Sequence, residues 1–134
     1  MSDVTFTLPI KILFQHCDPA GIVFYPRYFE MINLTVEEWF EQSLQYCFAD
    51  MQNAGNGVPA VTIQTEFTAP SRLGERLDFD LTVRKLGKTS VGLGIVAMAE
   101  DEMRLKADLV LVHIDKASGR PKPWPAEVRE RMTS

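Results

Sequence analysis

Hydrophobic and polar residues alternate along most of the chain, and one long segment breaks that alternation. Apolar side chains occupy every second position between Phe6 and Phe14, which predicts a half-buried strand from Phe6 to His16. Pro9 has no backbone N–H, so we expect this strand at a sheet edge or a bulge. From about Pro26 to Phe48 the apolar residues recur at helical spacing instead, which predicts one long amphipathic helix.

Four further strands are predicted after the helix, because the period of two returns beyond the loop Asn53–Gly57. Their alternating apolar positions are Val61, Ile63, Thr65 and Phe67; Leu77, Phe79, Leu81 and Val83; Val91, Leu93, Ile95 and Ala97; and Leu105, Ala107, Leu109 and Leu111. Short connections predict an antiparallel meander, and the apolar stripe of the helix needs one sheet face to cover it. The expected class is α+β, with a short final helix from Ala126 to Met132.

Composition favours one globular domain, residues 1–134, with 46% hydrophobic and 24% charged residues. The isolated Cys17 and Cys47 indicate free thiols in a reducing compartment. A net charge of -4 disfavours a nucleic-acid partner. The chain has neither a leader-like N-terminus nor the roughly 20 apolar residues of a membrane span, so a cytoplasmic location without membrane contact is expected. No metal is predicted, since the cysteines and histidines lack ligand spacing.

The segment His16–Tyr28 carries the most chemical information. Asp18 lies in a loop that leads into the predicted helix, whose N-terminus presents unpaired N–H groups and about half a positive charge. Such an end can stabilise an oxyanion while a nearby carboxylate attacks or activates water. The alternative is that Asp18 begins an Asx-turn before Pro19, and spacing alone does not decide between them.

The residues themselves add a resemblance. Asp18–Gly21, followed by Ile22–Val23, Tyr25, Pro26 and Tyr28, resembles the signature of the 4-hydroxybenzoyl-CoA thioesterase family, in the branch with its catalytic Asp in this loop. The strand–helix–four-strand order agrees with that family's hotdog fold. The resemblance implies an antiparallel sheet of about five strands wrapped around one long central helix.

The resemblance also implies roles for individual residues. Asp18 would be the nucleophile or general base, and the backbone N–H of Tyr25 would polarise the thioester carbonyl. Gly21 is expected to supply a backbone shape that a side chain would obstruct. His16 shares strand parity with Phe14 and would face the apolar side of the sheet if the strand continues. It would then orient Asp18 or the substrate, or serve as a structural hydrogen-bonded histidine.

A basic turn between Arg84 and Ser90 is the candidate coenzyme site. It lacks the phosphate-loop pattern and the strand-to-helix context that this pattern requires, so nucleotide hydrolysis is not expected. A solvated basic turn is one interpretation. The resemblance implies phosphate contacts at Lys88 and Thr89, with Arg84, Lys85 and Ser90 as further candidates. Because coenzyme A is part of the substrate, no separate cofactor is required.

The predicted function is hydrolysis of a small aromatic or a short to medium acyl-CoA. By resemblance the partner is a second copy of the chain, in a dimer or a dimer of dimers, with the active site between subunits. Two alternatives stay open: a noncatalytic acyl-CoA-binding hotdog protein, and an acyl-carrier-protein thioesterase. The aromatic residues Trp39, Phe40, Tyr46 and Phe48 either fill the core or line an acyl pocket. His113 is expected to be a buried, hydrogen-bonded residue.

Overall fold

A computed structural model describes residues 4–133. The strands are β1 (Phe6–Lys11), β2 (Asn56–Gly57), β3 (Ala60–Phe67), β4 (Arg76–Leu86), β5 (Ser90–Ala99), β6 (Glu102–Val112) and β7 (Ile114–Asp115). The helices are α1 (Tyr25–Gln42), α2 (Phe48–Asn53) and α3 (Ala126–Met132), and one 3₁₀ turn spans Phe14–His16. The long α1 packs with the apolar face of a five-stranded sheet, so the predicted α+β hotdog architecture is confirmed.

The order of strands corrects the predicted meander. The antiparallel sheet runs β1-β4-β5-β6-β3, so β3 pairs with β6 and not with β4, its successor in sequence. The physical reason is that the connection between β3 and β4, residues 68–75, is hydrogen-bonded to other parts of the chain and does not form a tight hairpin. Its Thr68 N–H donates to the Arg104 carbonyl at 2.9 Å, and its Gly74 N–H donates to the Ile12 carbonyl at 2.9 Å. The chain therefore crosses from one sheet edge toward the other between these strands.

The first strand is shorter than predicted. The strand ends at Lys11; the Ile12 N–H still donates to the Glu75 carbonyl at 2.8 Å in the β1–β4 register, and the chain then turns into the 3₁₀ segment. The expected strand parity of His16 is therefore wrong, since His16 lies on that turn. Pro9 does lie in an edge strand, as its missing N–H predicts.

The long helix also ends earlier than predicted. It stops at Gln42, and Gln45 adopts a left-handed φ of 52°, which a continuing helix does not allow. A separate helix, α2, covers the start of the predicted Asn53–Gly57 loop, and the end of that loop pairs as β2 with β7. The break turns Tyr46 out of the helix. The final helix has the predicted bounds, Ala126–Met132.

The core lies between α1 and the sheet. Trp39 and Phe40 are completely buried there, in agreement with a core role, while Tyr46 and Phe48 are partly buried beside them. On the sheet, the apolar residues of β4, β5 and β6 face the helix, and β3 stays largely exposed. The exposed β3 is an edge with no covering element in residues 4–133.

Candidate active site

The Asp18 loop, residues 17–24, is a small closed hairpin. The Asp18 N–H donates to the Ile22 carbonyl at 3.0 Å, and the Gly21 N–H donates to the Asp18 carbonyl at 2.9 Å. The Asp18 carboxylate accepts a hydrogen bond from the Ala20 N–H through Oδ1 at 2.9 Å. The Asx-turn is therefore present. No hydrogen bond from residues 4–133 reaches the second oxygen, Oδ2, so the turn fixes the carboxylate and leaves one oxygen available.

Gly21 permits the tight end of this loop. Its φ is +81°, in the left-handed region that side chains disfavour, while a Cβ there would meet no atom within 4 Å. Conformation and not space therefore explains the glycine. The next two residues seat the loop on the body of the protein, since the Val23 N–H donates to the Ser71 carbonyl at 2.9 Å and Ile22 forms a β-bridge with Arg72.

The loop delivers the chain directly into α1. The Phe24 N–H donates to the His16 carbonyl at 2.9 Å, and the Arg27 N–H donates to the Phe24 carbonyl at 2.8 Å. Pro26 has no N–H. The Tyr25 N–H, in contrast, makes none of the backbone hydrogen bonds that close the loop. Among residues 4–133 it therefore has no hydrogen-bond acceptor, and it lies at the positive end of an 18-residue helix.

His16 does not contact Asp18. Its Nδ1 accepts a hydrogen bond from the Leu13 N–H at 2.8 Å, so the neutral ring carries its proton on Nε2. Burial lowers the pKa of His16, with Arg27 acting in the same direction and Glu30 opposing it. The His16 carbonyl accepts the Phe24 N–H and so closes the Asp18 loop.

Two cavities adjoin the helix start. A cleft of about 320 Å³ lies beside Tyr25 and is bounded by Ile22, Val23, Tyr28, Phe67, Thr68, Ala69 and Pro70. A second cavity of about 270 Å³ begins one helical turn later at Phe29, between α1 and the β3–β6 edge, and Asn33 is the polar residue in its apolar wall. A larger open groove of about 630 Å³ includes His16 but neither Asp18 nor Tyr25. Of these three cavities only the cleft of about 320 Å³ includes Tyr25, and none includes Asp18, so that cleft is the one placed at the helix start.

The Lys88 turn, residues 87–90, is held through its backbone. The Lys88 carbonyl accepts from the Trp124 N–H at 3.1 Å, the Thr89 carbonyl from the His113 N–H at 2.7 Å, and the Ser90 carbonyl from the Trp124 Nε1–H at 3.1 Å. The Lys88 side chain is exposed. Because these carbonyls are hydrogen-bonded to the body of the protein, the turn can present the Lys88 ammonium and the Thr89 and Ser90 hydroxyls to an anion.

The other two candidates at this hairpin lie differently. The Arg84 guanidinium extends across Gly94, where an added Cβ would meet its Nε, and lies 3.9 Å from the Asp108 carboxylate. It therefore follows the sheet surface and does not join Lys88 at the turn. Lys85 is exposed near the end of β4, with its Cβ over Gly92.

One chain places the Asp18 loop and the Lys88 turn at opposite ends of the sheet. Lys11, which leads to the Asp18 loop, pairs with Arg76 at the start of β4, while Lys88 follows Leu86 at its end. The 11 residues of β4 span about 33 Å at ~3.3 Å per residue.

The structure contains two polar networks that the sequence analysis did not predict. Below the Asp18 loop, the buried Arg104 side chain binds Glu75 and Ser71. Below the Lys88 turn, His113 is fully buried, as predicted, and hydrogen-bonded to the Tyr46 hydroxyl at 2.8 Å. Alternation places Arg104 on the polar face of β6, so the pattern carried no signal of its burial. The contact of Tyr46 with His113 was missed because Tyr46 was predicted to lie within the long helix, which in fact ends at Gln42.

The membrane and metal expectations concern absences. None of the helices between residues 4 and 133 combines the length and the apolar composition that a membrane span needs. Within the same residues, no three His, Cys, Asp or Glu side chains are grouped so as to hold a metal ion. Both cysteines are free thiols.

The fold and the loop together match one family. A sequence profile described as the thioesterase-like superfamily matches residues 12–132, and the chain belongs to that family. This membership agrees with the predicted class of enzyme, a thioester hydrolase. The matched residues include the Asp18 loop, the central helix and the Lys88 turn.

Individual relatives are distant but nearly full length. The 1,4-dihydroxy-2-naphthoyl-CoA hydrolase of Synechocystis sp. (strain ATCC 27184 / PCC 6803 / Kazusa) is 22% identical over 131 residues, 92% of this chain and 94% of that protein. A gentisyl-coenzyme A thioesterase structure has a TM-score of 0.84 at 21% identity, covering 96% of this chain and 100% of that one. A Staphylococcus aureus protein solved in complex with CoA has a TM-score of 0.88 at 12% identity, covering 99% and 84%. The structural matches establish the fold.

Proposed function

We propose that this protein hydrolyses an acyl-CoA thioester to the free acid and CoA. The observation that carries the proposal is the Asp18 carboxylate, which keeps one free oxygen in a loop that ends at the unpaired Tyr25 N–H. Tyr25 N–H would donate to the thioester carbonyl as charge develops on its oxygen. In one route Asp18 would attack the carbonyl carbon and expel the CoA thiolate, and water would hydrolyse the resulting mixed anhydride to the free acid and the Asp18 carboxylate. In the other, Asp18 would deprotonate a water that attacks the carbonyl carbon, and the CoA thiolate would leave.

The acyl group we propose is small and aromatic, and the 4-hydroxybenzoyl-CoA branch stays a prediction from the Asp18–Tyr28 motif. The cavity at Phe29 holds about 270 Å³, which suits a single substituted ring better than a long chain. Asn33 can hydrogen-bond a ring hydroxyl in that apolar wall. Two of the relatives, the 1,4-dihydroxy-2-naphthoyl-CoA hydrolase and the gentisyl-coenzyme A thioesterase, are named for hydroxylated aromatic acyl groups, which supports this assignment.

We further propose that the working unit is a dimer formed through β3. An exposed edge strand with Val61, Ile63 and Phe67 at its surface is a template for pairing, whereas β1 at the other edge contains Pro9. A two-fold axis pairs β3 with its copy in antiparallel orientation. Because Ala60 lies at the Lys88 end and Phe67 at the Asp18 end, this pairing brings each Asp18 loop beside the partner's Lys88 turn.

The activity test is thiol release from benzoyl-, hydroxybenzoyl-, phenylacetyl- and aliphatic acyl-CoAs. We expect turnover of an aromatic member, and Asp18→Asn should lower it at least about a hundredfold, or about 3 kcal/mol of transition-state stabilisation. Asp101→Asn, an exposed acid in the β5–β6 turn, is the matched control and should retain full activity. Circular dichroism checks that the variants fold.

The outcomes separate the alternatives. CoA binding without turnover of any thioester would favour the noncatalytic binding protein. Faster cleavage of the same acyl group on an acyl carrier protein would favour that substrate class. A fully active Asp18→Asn enzyme would leave a hydrolase but refute the role given to Asp18.

The shared site is tested by mixing subunits. In dimers of Asp18→Asn with Lys88→Ala/Thr89→Ala, a site built from two chains leaves one of the two sites intact, so about half of the wild-type kcat per dimer should return at the wild-type KM. A site built within one chain leaves both sites defective. Differently tagged, co-expressed subunits give the mixed dimer, and the two parent homodimers are the controls.

A further inference from the structure

The buried Arg104 guanidinium joins three parts of one turn. The residue is 7% exposed. Its Nη1 donates to the Pro70 carbonyl at 3.1 Å and to the Ser71 hydroxyl at 3.1 Å. The same nitrogen and Nη2 bind the two Glu75 oxygens at 2.9 and 2.8 Å. Residues 70–75, here the Ser71 turn, are therefore held at both ends by one side chain of β6.

Glu75 reinforces the same turn. Its Oε1 accepts a hydrogen bond from the Arg72 N–H at 2.6 Å, in addition to the bond from Arg104. The pKa of Glu75 is lowered to about 2, mainly by the Arg104 hydrogen bonds and then by the Arg72 N–H. The pair consequently stays ionised over the whole neutral and mildly acidic range. A planar guanidinium bound to both carboxylate oxygens also fixes orientation, which a lysine ammonium does not.

The Asp18 loop packs on the Ser71 turn. Ser71 is completely buried, and its carbonyl accepts the Val23 N–H. Ile22, whose carbonyl accepts the Asp18 N–H, forms a β-bridge with Arg72. The two residues that contact the turn therefore lie between Asp18 and Tyr25. Their placement sets the position of the carboxylate relative to the helix N–H.

A second path runs to the start of α1. Tyr28 is 3% exposed, and its buried hydroxyl makes no well-aligned hydrogen bond. Burial is the main cause that raises the pKa of Tyr28, while the nearby Ser71 hydroxyl and the Arg104 charge act in the opposite direction. The Tyr28 hydroxyl therefore lies near Ser71 and Arg104, and the Ser71 carbonyl also accepts the Val23 N–H of the Asp18 loop.

We propose that Arg104 is a positioning residue for the reaction: through the Ser71 turn it holds Asp18 and the Tyr25 N–H at their catalytic separation. The inference rests on the proposed function. Displacements of about 1 Å can cost on the order of 100-fold in rate. Stability alone does not account for the pair, because buried ion pairs can often be replaced by apolar residues without loss of stability.

Steady-state kinetics with an acyl-CoA that the wild type cleaves tests the rate. Arg104→Lys keeps the charge but cannot bridge Pro70, Ser71 and Glu75, so kcat should fall about 10- to 100-fold, with KM changed less than about threefold. The double variant Arg104→Met/Glu75→Met removes both charges and separates fold from positioning. It should keep a cooperative urea transition, which shows that it folds, and still show the low kcat. Lys106→Met, in an exposed β6 ion pair, should keep the wild-type kcat.

A second readout does not depend on activity. Hydrogen exchange of the Val23 amide should accelerate at least about tenfold in both Arg104 variants, while amides in the β4–β5 ladder stay unchanged. Wild-type kcat in the double variant, or unchanged Val23 exchange, overturns the proposal. If the wild type cleaves no thioester, the proposed function fails, and Val23 exchange alone decides whether Arg104 holds the loop.

Discussion

The two ends of the sheet rest on polar networks of different chemistry. Below the Asp18 loop, Arg104 and Glu75 form an ion pair. Below the Lys88 turn, His113 binds neutral groups: Nδ1 lies 3.0 Å from the Lys122 carbonyl, which can only accept, so Nδ1 carries the proton and Nε2 accepts from the Tyr46 hydroxyl. Asn56 donates to the same hydroxyl at 3.0 Å.

We relate the difference between the two networks to the groups that each end of the sheet positions under the proposed function. The Asp18 end has to keep a carboxylate and an N–H in fixed relation, and a bidentate charged pair fixes direction most strongly. Under the proposed function, the Lys88 end presents side chains to a mobile coenzyme. There, backbone carbonyls are bound by Trp124 and the His113 N–H, and the ring stacking of His113 on Trp124 at 5.0 Å completes the support. We expect damage at the first end to lower kcat and damage at the second to raise KM.

The largest effect is expected from breaking the charged network. Glu75→Gln leaves Arg104 buried without its main partner, and should lower the free energy of unfolding by about 2–3 kcal/mol. This is below the value for a fully buried pair, because the Glu75 side chain is 35% exposed and Glu102 remains 2.7 Å from Arg104. Urea unfolding measures the loss. The control, Glu66→Gln, breaks the exposed pair with Lys106 and should cost less than about 1 kcal/mol. Equal losses would contradict the comparison.

A smaller effect is expected at the neutral network. Tyr46→Phe removes the hydroxyl shared by His113 and Asn56, and should lower the free energy of unfolding by about 1–2 kcal/mol. Tyr25→Phe removes an exposed hydroxyl and should change the stability by less than about 0.5 kcal/mol. In acyl-CoA kinetics, Tyr46→Phe should raise KM with little change in kcat. A fall in kcat with constant KM would refute the separation of the two ends.

Local periodicity predicted the elements well and their junctions poorly. The α+β class, the central helix, the long strands and the final helix all follow from residue spacing. The end of β1 and the break after Gln42 do not, because they depend on contacts with residues distant in sequence, such as Ile12 with Glu75. The pairing of β3 with β6 is likewise a nonlocal choice made by the attachment of residues 68–75.

The candidate site divides in the same way. The Asp18–Tyr28 motif is local, and the structure does give it an Asx-turn, a left-handed Gly21 and a free Tyr25 N–H. The resemblance supplied the chemical roles. The supports beneath the site were unpredictable, because Arg104 is separated from Glu75 by 29 positions and Tyr46 from His113 by 67. A charged residue on an apparently polar strand position gives no sign that a turn covers it.

The smallest effect is the dependence of stability on pH, which should separate the two networks without mutation. Burial lowers the pKa of His113 from 6.5 despite the opposing hydrogen bonds to backbone carbonyls, and His16 shifts in the same direction. The unfolded chain therefore binds these protons first, so stability is complete above pH 6.5 and declines as pH falls below it. Glu75, with its pKa lowered from 4.5 to about 2, adds a second decline only below pH 4.5. Urea unfolding between pH 8 and 3 should show both stages, and His16→Gln/His113→Gln should remove the upper one. If the upper decline persists in that variant, the two histidines are not its cause, and the His113 network would be as insensitive to mild acid as the ion pair.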